Sequence, residues 1–172
     1  DLTLNNNIFG IYFQNTRNSR AEGNLAKDCW NGLFFQDSSN NSALKNNFSD
    51  NENGAFLDGS GQNKIESNDI FNNSYGIVLR SSSKNNVTSN SAEVNFVGID
   101  LENSSDENSI EGNDVAGNGV GIHLNSSSKN TVSDNDANDS EYIGIYLVQG
   151  SSENVIEENN ASRCWIGVRL NQ

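Results

Sequence analysis

Asp100, Glu102, Arg80, Asp58 and His123 carry the side chains best suited to chemistry, and their spacing is periodic. Arg80 stands 22 residues before Glu102, and His123 stands 23 after Asp100. If that interval is one turn of a coil, all five gather on one face. Carboxylates to hold Ca²⁺, with a basic residue to take a proton α to a uronate, would make a lyase. Two carboxyls about 6.5–9.5 Å apart would suit an inverting glycosidase. The plainer alternative is a row of cross-strand ion pairs on an exposed strand, Arg80 with Glu102 for example. His123 beside Asp100 has the makings of a dyad, but no serine or cysteine nucleophile is placed with it. An ordinary surface histidine is the simpler expectation. If the chain is an enzyme, Asp100, Glu102, Arg80 and His123 are its candidate catalytic residues.

Two further sets of residues invite a metal or redox reading. Ser133–Glu141 is the densest acidic stretch, and its D-x-D-x-N start resembles a calcium loop. Asp139 stands where the sharp-turn glycine belongs, however, and the glutamate spacing fails. Weak Ca²⁺ binding is the most this stretch offers, and no dedicated metal site or cofactor is expected. Cys29 and Cys164 each stand three residues before a glycine and each precedes a tryptophan. They share a column filled elsewhere by Asn51, Asn73, Asn95 and Asn118. Six coils apart, they would lie roughly 29 Å from each other, whereas a disulfide needs Cα atoms about 4.4–6.8 Å apart. Buried corner thiols are expected, with an intermolecular bridge as the alternative.

These columns exist because the chain repeats. Gly76-Ile77-Val78-Leu79 recurs at Gly10, Gly32, Gly54, Gly98, Gly121, Gly144 and Gly167, at intervals of 22, 22, 22, 22, 23, 23 and 23 residues. A fixed period of this length marks a stacked repeat architecture. Residues one and three after each glycine are apolar, with a variable residue between them, so each piece reads as a strand facing inward at two positions. A second signature follows, as in Asn63-Lys64-Ile65-Glu66-Ser67-Asn68, and then a third short apolar touch at Phe48, Ile70, Ala92 and Val115. Three short strands per coil predict an all-β, right-handed parallel β-helix of about eight coils, forming one domain over residues 1–172. The one-residue insertions, between Gly98 and Asn108, Asn135 and Gly144, and Gly144 and Asn154, fall where turns can absorb them. Asn41, Asn63, Asn85, Asn108, Asn130 and Asn154 form one corner ladder; Asn46, Asn68, Asn90, Asn113, Asn135 and Asn159 form another. Their amides should bond coil to coil, and asparagine also tolerates a left-handed corner backbone.

The motif N-x-[IV]-x-x-N, eight or nine residues, then G-I-x-L and a serine-rich turn resembles the NosD-type repeat. That family belongs to the right-handed parallel β-helix, pectate-lyase-like superfamily, and is abundant in surface and secreted proteins of methanogenic archaea. The resemblance covers essentially the whole chain. It implies the fold, while the scaffold hosts lyases, hydrolases, epimerases, adhesins and structural proteins. NosD itself is implicated in copper-site maturation; one histidine and no methionine leave a copper constellation missing here.

The outward column of the repeated strand reads Tyr12, Phe34, Phe56, Val78, Asp100, His123, Tyr146 and Arg169. Members of the superfamily commonly use such a face as a polysaccharide groove. Tyr12, Phe34, Phe56 and Tyr146 are therefore the candidate ligand contacts, by stacking on sugars or packing in an interface. A ladder of rings covering one another is the equal alternative.

Charge and ends complete the reading. With 10 basic and 23 acidic residues the net charge is −13, which excludes nucleic acid and an anionic membrane as partners. No apolar run spans a bilayer, so membrane insertion is not expected. With no methionine and Asp1 first, the chain is expected to be a mature or excised part of a larger protein. No capping helix is evident, so caps in a neighbouring domain or head-to-tail self-association would cover the open coils. Eight N-x-S/T sequons could carry glycans on an exported protein. The leading expectation is a non-enzymatic extracellular or cell-surface solenoid with a structural, adhesive or self-assembling role. Its partner would be carbohydrate or a cell-surface protein. The alternative is a polysaccharide lyase or glycoside hydrolase acting on acidic glycans.

Overall fold

The structure, a computed structural model, describes residues 2–171. Each coil carries one six-residue strand: Phe9–Gln14, Asn31–Gln36, Asn53–Asp58, Tyr75–Arg80, Val97–Glu102, Val120–Asn125, Ile143–Val148 and Ile166–Asn171. They stack in chain order into one eight-stranded parallel sheet. Three-residue strands such as Lys64–Glu66 and Asn86–Thr88 form a second, seven-stranded sheet. Thr3–Asn5, Leu25–Lys27, Asn47–Ser49 and Asp69–Phe71 form a third. Beyond Phe71 that third side narrows to single bridges, Asp69 to Ser91 to Asp114 to Asp136 to Asn160. The result is the expected right-handed parallel β-helix. Among the described residues no helix is long and apolar enough to cross a membrane.

Register follows the repeat. Ile77 pairs with Ala55 and Ile99, and Leu79 with Leu57 and Leu101. These side chains are fully buried and merge with Ile65, Ile70, Val87, Ile110 and Val132 into one continuous core. The strand glycine is steric in origin. A Cβ on Gly76 would lie 2.4 Å from the carbonyl oxygen of Gly98, on backbone that cannot withdraw. The one-residue insertions sit in turns, and pairing on both sides of them is intact: Glu102 is in register with Arg80 and Asn125, and Val148 with Asn125 and Asn171.

Polar ladders close the corners. Asn90 accepts from the backbone N–H of Asn68 at 3.0 Å and donates to the carbonyl of Ile65 at 2.9 Å and to Oδ1 of Asn113 at 3.0 Å. The Asn41 and Asn46 columns both behave in this way. Two further ladders were not legible as such. The Asn51, Asn73, Asn95 and Asn118 column bonds coil to coil with Cys29 continuing it, and Ser38, Ser60, Ser82, Ser105 and Ser127 form a buried hydroxyl ladder. The left-handed backbone does not fall on the ladder asparagines, contrary to expectation. It falls on the residue before each of them: Asn40, Gln62, Lys84, Glu107, Lys129 and Glu153 in one corner. Amide geometry rather than residue preference therefore sets the corner, since even Val94 is held there at φ 57°.

Cys29 is buried and Cys164 half-buried, and both are free thiols. The Cys29 thiol points at the carbonyl of Lys27, 3.2 Å away, and that of Cys164 at the carbonyl of Ala137, 3.3 Å away. Each occupies the place of a ladder amide.

Candidate functional site

The long-strand sheet bears a groove that runs along the helix axis. Its floor is the outward column, where Phe56, Val78, Asp100, His123 and Tyr146 follow one another in register. One wall rises from the residues just before each strand glycine, Trp30, Glu52, Tyr75 and Phe96 among them; the other is Arg80 and Glu102. Two hollows, of about 350 and 340 Å³, share Tyr75, Asp100 and Glu102 and so form one trough.

The four residues proposed for catalysis come together here. Asp100 is 8% exposed, and its Oδ1 lies 2.9 Å from Nδ1 of His123. Arg80 does not pair with Glu102 as expected. Its Nε and Nη2 reach Asp58 at 3.3 and 3.1 Å, and its guanidinium lies 4.6 Å from the centre of the Phe56 ring. Asp58 and Phe56 belong to the same strand, so a single rotamer gains an ion pair and a cation–π contact together. The bond to Asp58 raises the Arg80 pKa further. Glu102 is left with no ion pair among the described residues. Burial, and secondarily the charge of Asp100, raise its carboxyl above the ordinary value, against smaller lowering by Arg80 and His123. The Tyr75 phenol is likewise pushed up, first by burial and then by Asp100, Glu52 and Glu102.

The candidate ligand contacts divide. Phe56 and Tyr146 line the trough. Tyr12 and Phe34 lie in a ring stack towards the N-terminal end, Tyr12 on Phe34 at 5.2 Å and 6° and Phe34 on Phe56 at 5.2 Å and 15°. Phe34 is only 8% exposed and Tyr12 39%, so at Phe34 the alternative of rings covering one another describes the arrangement. Stacked rings use their faces on one another; Tyr146 is similarly placed between His123 and Arg169. The freer aromatic surface is the wall: Trp30 is 62% and Phe96 59% exposed, with Tyr142 and Trp165 continuing that column. These were missed because they lie just outside the strand alternation. The available signal was a run of bulky residues two before the glycine, Ile8, Trp30, Phe96, Tyr142 and Trp165.

The acidic stretch offers no convergent cation site. Oδ1 of Asp136 accepts from Asn138 and Asn160, while Asp139 is bound by Arg163. Among the described residues no group of three or more His, Cys, Asp and Glu side chains is placed to hold a metal ion.

In sequence, the chain matches the family described as periplasmic copper-binding protein (NosD), over residues 1–115 and 95–172. No curated protein matches it. In structure it is similar to a mutant of the periplasmic alginate epimerase AlgG, with a TM-score of 0.79 and 21% identity over 88% of this chain and 47% of that one. It is also similar to the A-module of the Azotobacter vinelandii mannuronan C-5 epimerase AlgE4, with a TM-score of 0.73 and 12% identity over 95% of this chain and 62% of that one. Pectate lyase Pel9A gives a TM-score of 0.58 and 16% identity over 77% and 46%. The chain thus spans about half the length of the AlgG structure, and likeness at these identities establishes the fold.

Proposed function

The chain belongs to the NosD family, and from that premise we propose that it works outside the cytoplasm as a glycan-binding solenoid without catalytic turnover. The family's periplasmic description supports the location. The observation that carries the binding role is the trough itself, parallel to the axis, walled by the exposed Trp30 and Phe96 and bearing the hydrogen-bonding groups of Glu52, Asp100, Glu102 and His123. Aromatic faces cover the apolar faces of sugars, and carboxylates and amides take their hydroxyls. Copper does not fit the residues present. The single histidine already uses Nδ1 on Asp100, methionine is lacking, and Cys29 and Cys164 belong to distant coils.

The second reading is a lyase or hydrolase acting on acidic glycans, and His123 bound to Asp100 beside Arg80 favours it. Two observations weigh against it. Glu52, Asp58, Asp100 and Glu102 would repel a polyuronate, and Arg80, which would have to neutralise the uronate carboxylate, is already held by Asp58. Binding to an array of oligosaccharides, repeated with Trp30→Ala and Phe96→Ala, tests the proposal. Retained binding in both variants would refute it. Product formed from a polyuronate by the native chain, and lost in Asp100→Asn, would establish the second reading instead.

A further inference from the structure

Resting on the glycan-binding reading, we infer that the trough selects a saccharide bearing a protonated amine, an amino sugar with its nitrogen unacetylated. The inference comes from a charge count inside a cavity with aromatic walls. Three carboxylates, Glu52, Asp100 and Glu102, line the hollow of about 350 Å³, Asp58 sits beside its Arg80, and the cations hydrogen-bonded to this group among the described residues are Arg80 and, when protonated, His123. Arg80 is consumed by Asp58, through two hydrogen bonds and the Phe56 ring. His123 is consumed by Asp100. Glu52 accepts from the hydroxyl of Ser74 at 2.9 Å, a neutral partner. Glu102 has no ion pair among the described residues. Among the described residues, two carboxylates, Glu52 and Glu102, therefore face the hollow without an ion pair of their own.

A neighbouring group registers the same excess. The Tyr75 phenol stands in this hollow, and after burial the causes that hold its proton are the charges of Asp100, Glu52 and Glu102. The hollow is more than a solvated acidic patch, because Trp30, Phe56 and Tyr75 line it. Carboxylates beside the faces and edges of aromatic rings are the surroundings that favour an ammonium, which gains from the ring quadrupole and from the anions together. An amino sugar brings both halves of the match, a ring face for Trp30 and a cation for Glu102 and Glu52. A uronate would add a further negative charge, and a neutral sugar would leave both carboxylates uncompensated.

Calorimetric titration of glucosamine oligomers against their N-acetylated counterparts, at a pH high enough to ionise Glu102 and low enough to keep the amine charged, provides the test. The amine form should bind at least about tenfold more tightly, a difference of about 1.4 kcal/mol. Glu102→Gln should remove most of that preference by weakening the amine form far more than the N-acetylated one. Because the whole chain is acidic, Glu111→Gln serves as control: it makes the same charge change on the second sheet, remote from the trough. Equal weakening by Glu111→Gln and Glu102→Gln would overturn the inference in favour of diffuse charge attraction. Equal or tighter binding of the N-acetylated oligomer would overturn the inference and leave the glycan-binding role standing. Binding of neither, by chain whose circular dichroism is that of folded β-helix, would overturn both.

Discussion

Replacing Asn90 by alanine should cost about 4 kcal/mol, and the figure follows from the bonds this one amide makes. Asn90 is 1% exposed, between the Asn68 coil and the Asn113 coil. Its removal takes the acceptor from the backbone N–H of Asn68, 3.0 Å away, and the amide donor from the carbonyl of Ile65, 2.9 Å away. The side-chain amide of Asn68 keeps the carbonyl of Ala43, and Oδ1 of Asn113 keeps the backbone N–H of Asn90. Two buried groups thus lose a partner, at ~1–3 kcal/mol each, or ~2–6 kcal/mol together. With a urea slope of ~2 kcal/mol/M, the unfolding midpoint should fall by ~2 M. Far-UV circular dichroism would follow the whole β-helix. Single-tryptophan forms keeping Trp30 or Trp165 would report the two sides of the cut, since a stack unfolds as neighbouring coils part. Asn90→Asp should retain both acceptor bonds yet set a carboxylate against two oxygens, so its damage should deepen from acid to neutral pH. A loss below about 1 kcal/mol in Asn90→Ala would refute the reasoning, because the orphaned groups would then have found water.

Two other perturbations probe the sheet and the trough. Gly76→Ala should destabilise by about 3 kcal/mol, since its Cβ meets the Gly98 carbonyl, whereas Gly117→Ala, with open space around it but φ +65°, should cost only the left-handed strain of about 1 kcal/mol. Equal midpoints for the two variants in denaturant would remove the steric account of the glycine column. Glu102 holds its proton more tightly folded than unfolded, so the stability from this group is full below the ordinary value of 4.5 and is lost as pH rises through the raised one. Glu102→Gln should therefore gain on the native chain between mildly acidic and neutral pH, by less than about 1 kcal/mol at this half-exposed site, and a pH-independent difference in melting temperature would contradict it.

Much of the fold was legible because register in a solenoid leaves little freedom. Once Gly76 and Gly98 were equivalent, Ile77 had to lie on Ile99 and Asn90 on Asn113, and both do. The meeting of Asp100 with His123 followed from the same count. Two features did not follow. Arg80 has an in-register carboxylate on each side, Asp58 and Glu102, and only the ring of Phe56 on the Asp58 side decides between them. Trp30 and Phe96 stand outside the alternating strand, where a period of two says nothing about direction, so the wall they form was invisible. The serine ladder was hidden for a related reason. Ser38, Ser82 and Ser105 each have a serine neighbour in their turn, and composition alone cannot tell which hydroxyl turns inward.

The placement of the three one-residue insertions has a consequence for how such a protein can diversify. They lie between Glu102 and Ser105, Ser140 and Ile143, and Val148 and Ser151, where ladder and strand spacings change by one residue. All three flank the long strands, so they border the trough-bearing sheet rather than the other two. Lengthening these turns would raise the banks of the trough while ladders and core keep their period. Selection can therefore recut the recognition surface coil by coil, with the heritable changes confined to segments whose length the stack does not measure. The lining of the trough could thus change while the ladders and core that hold the stack together stay as they are.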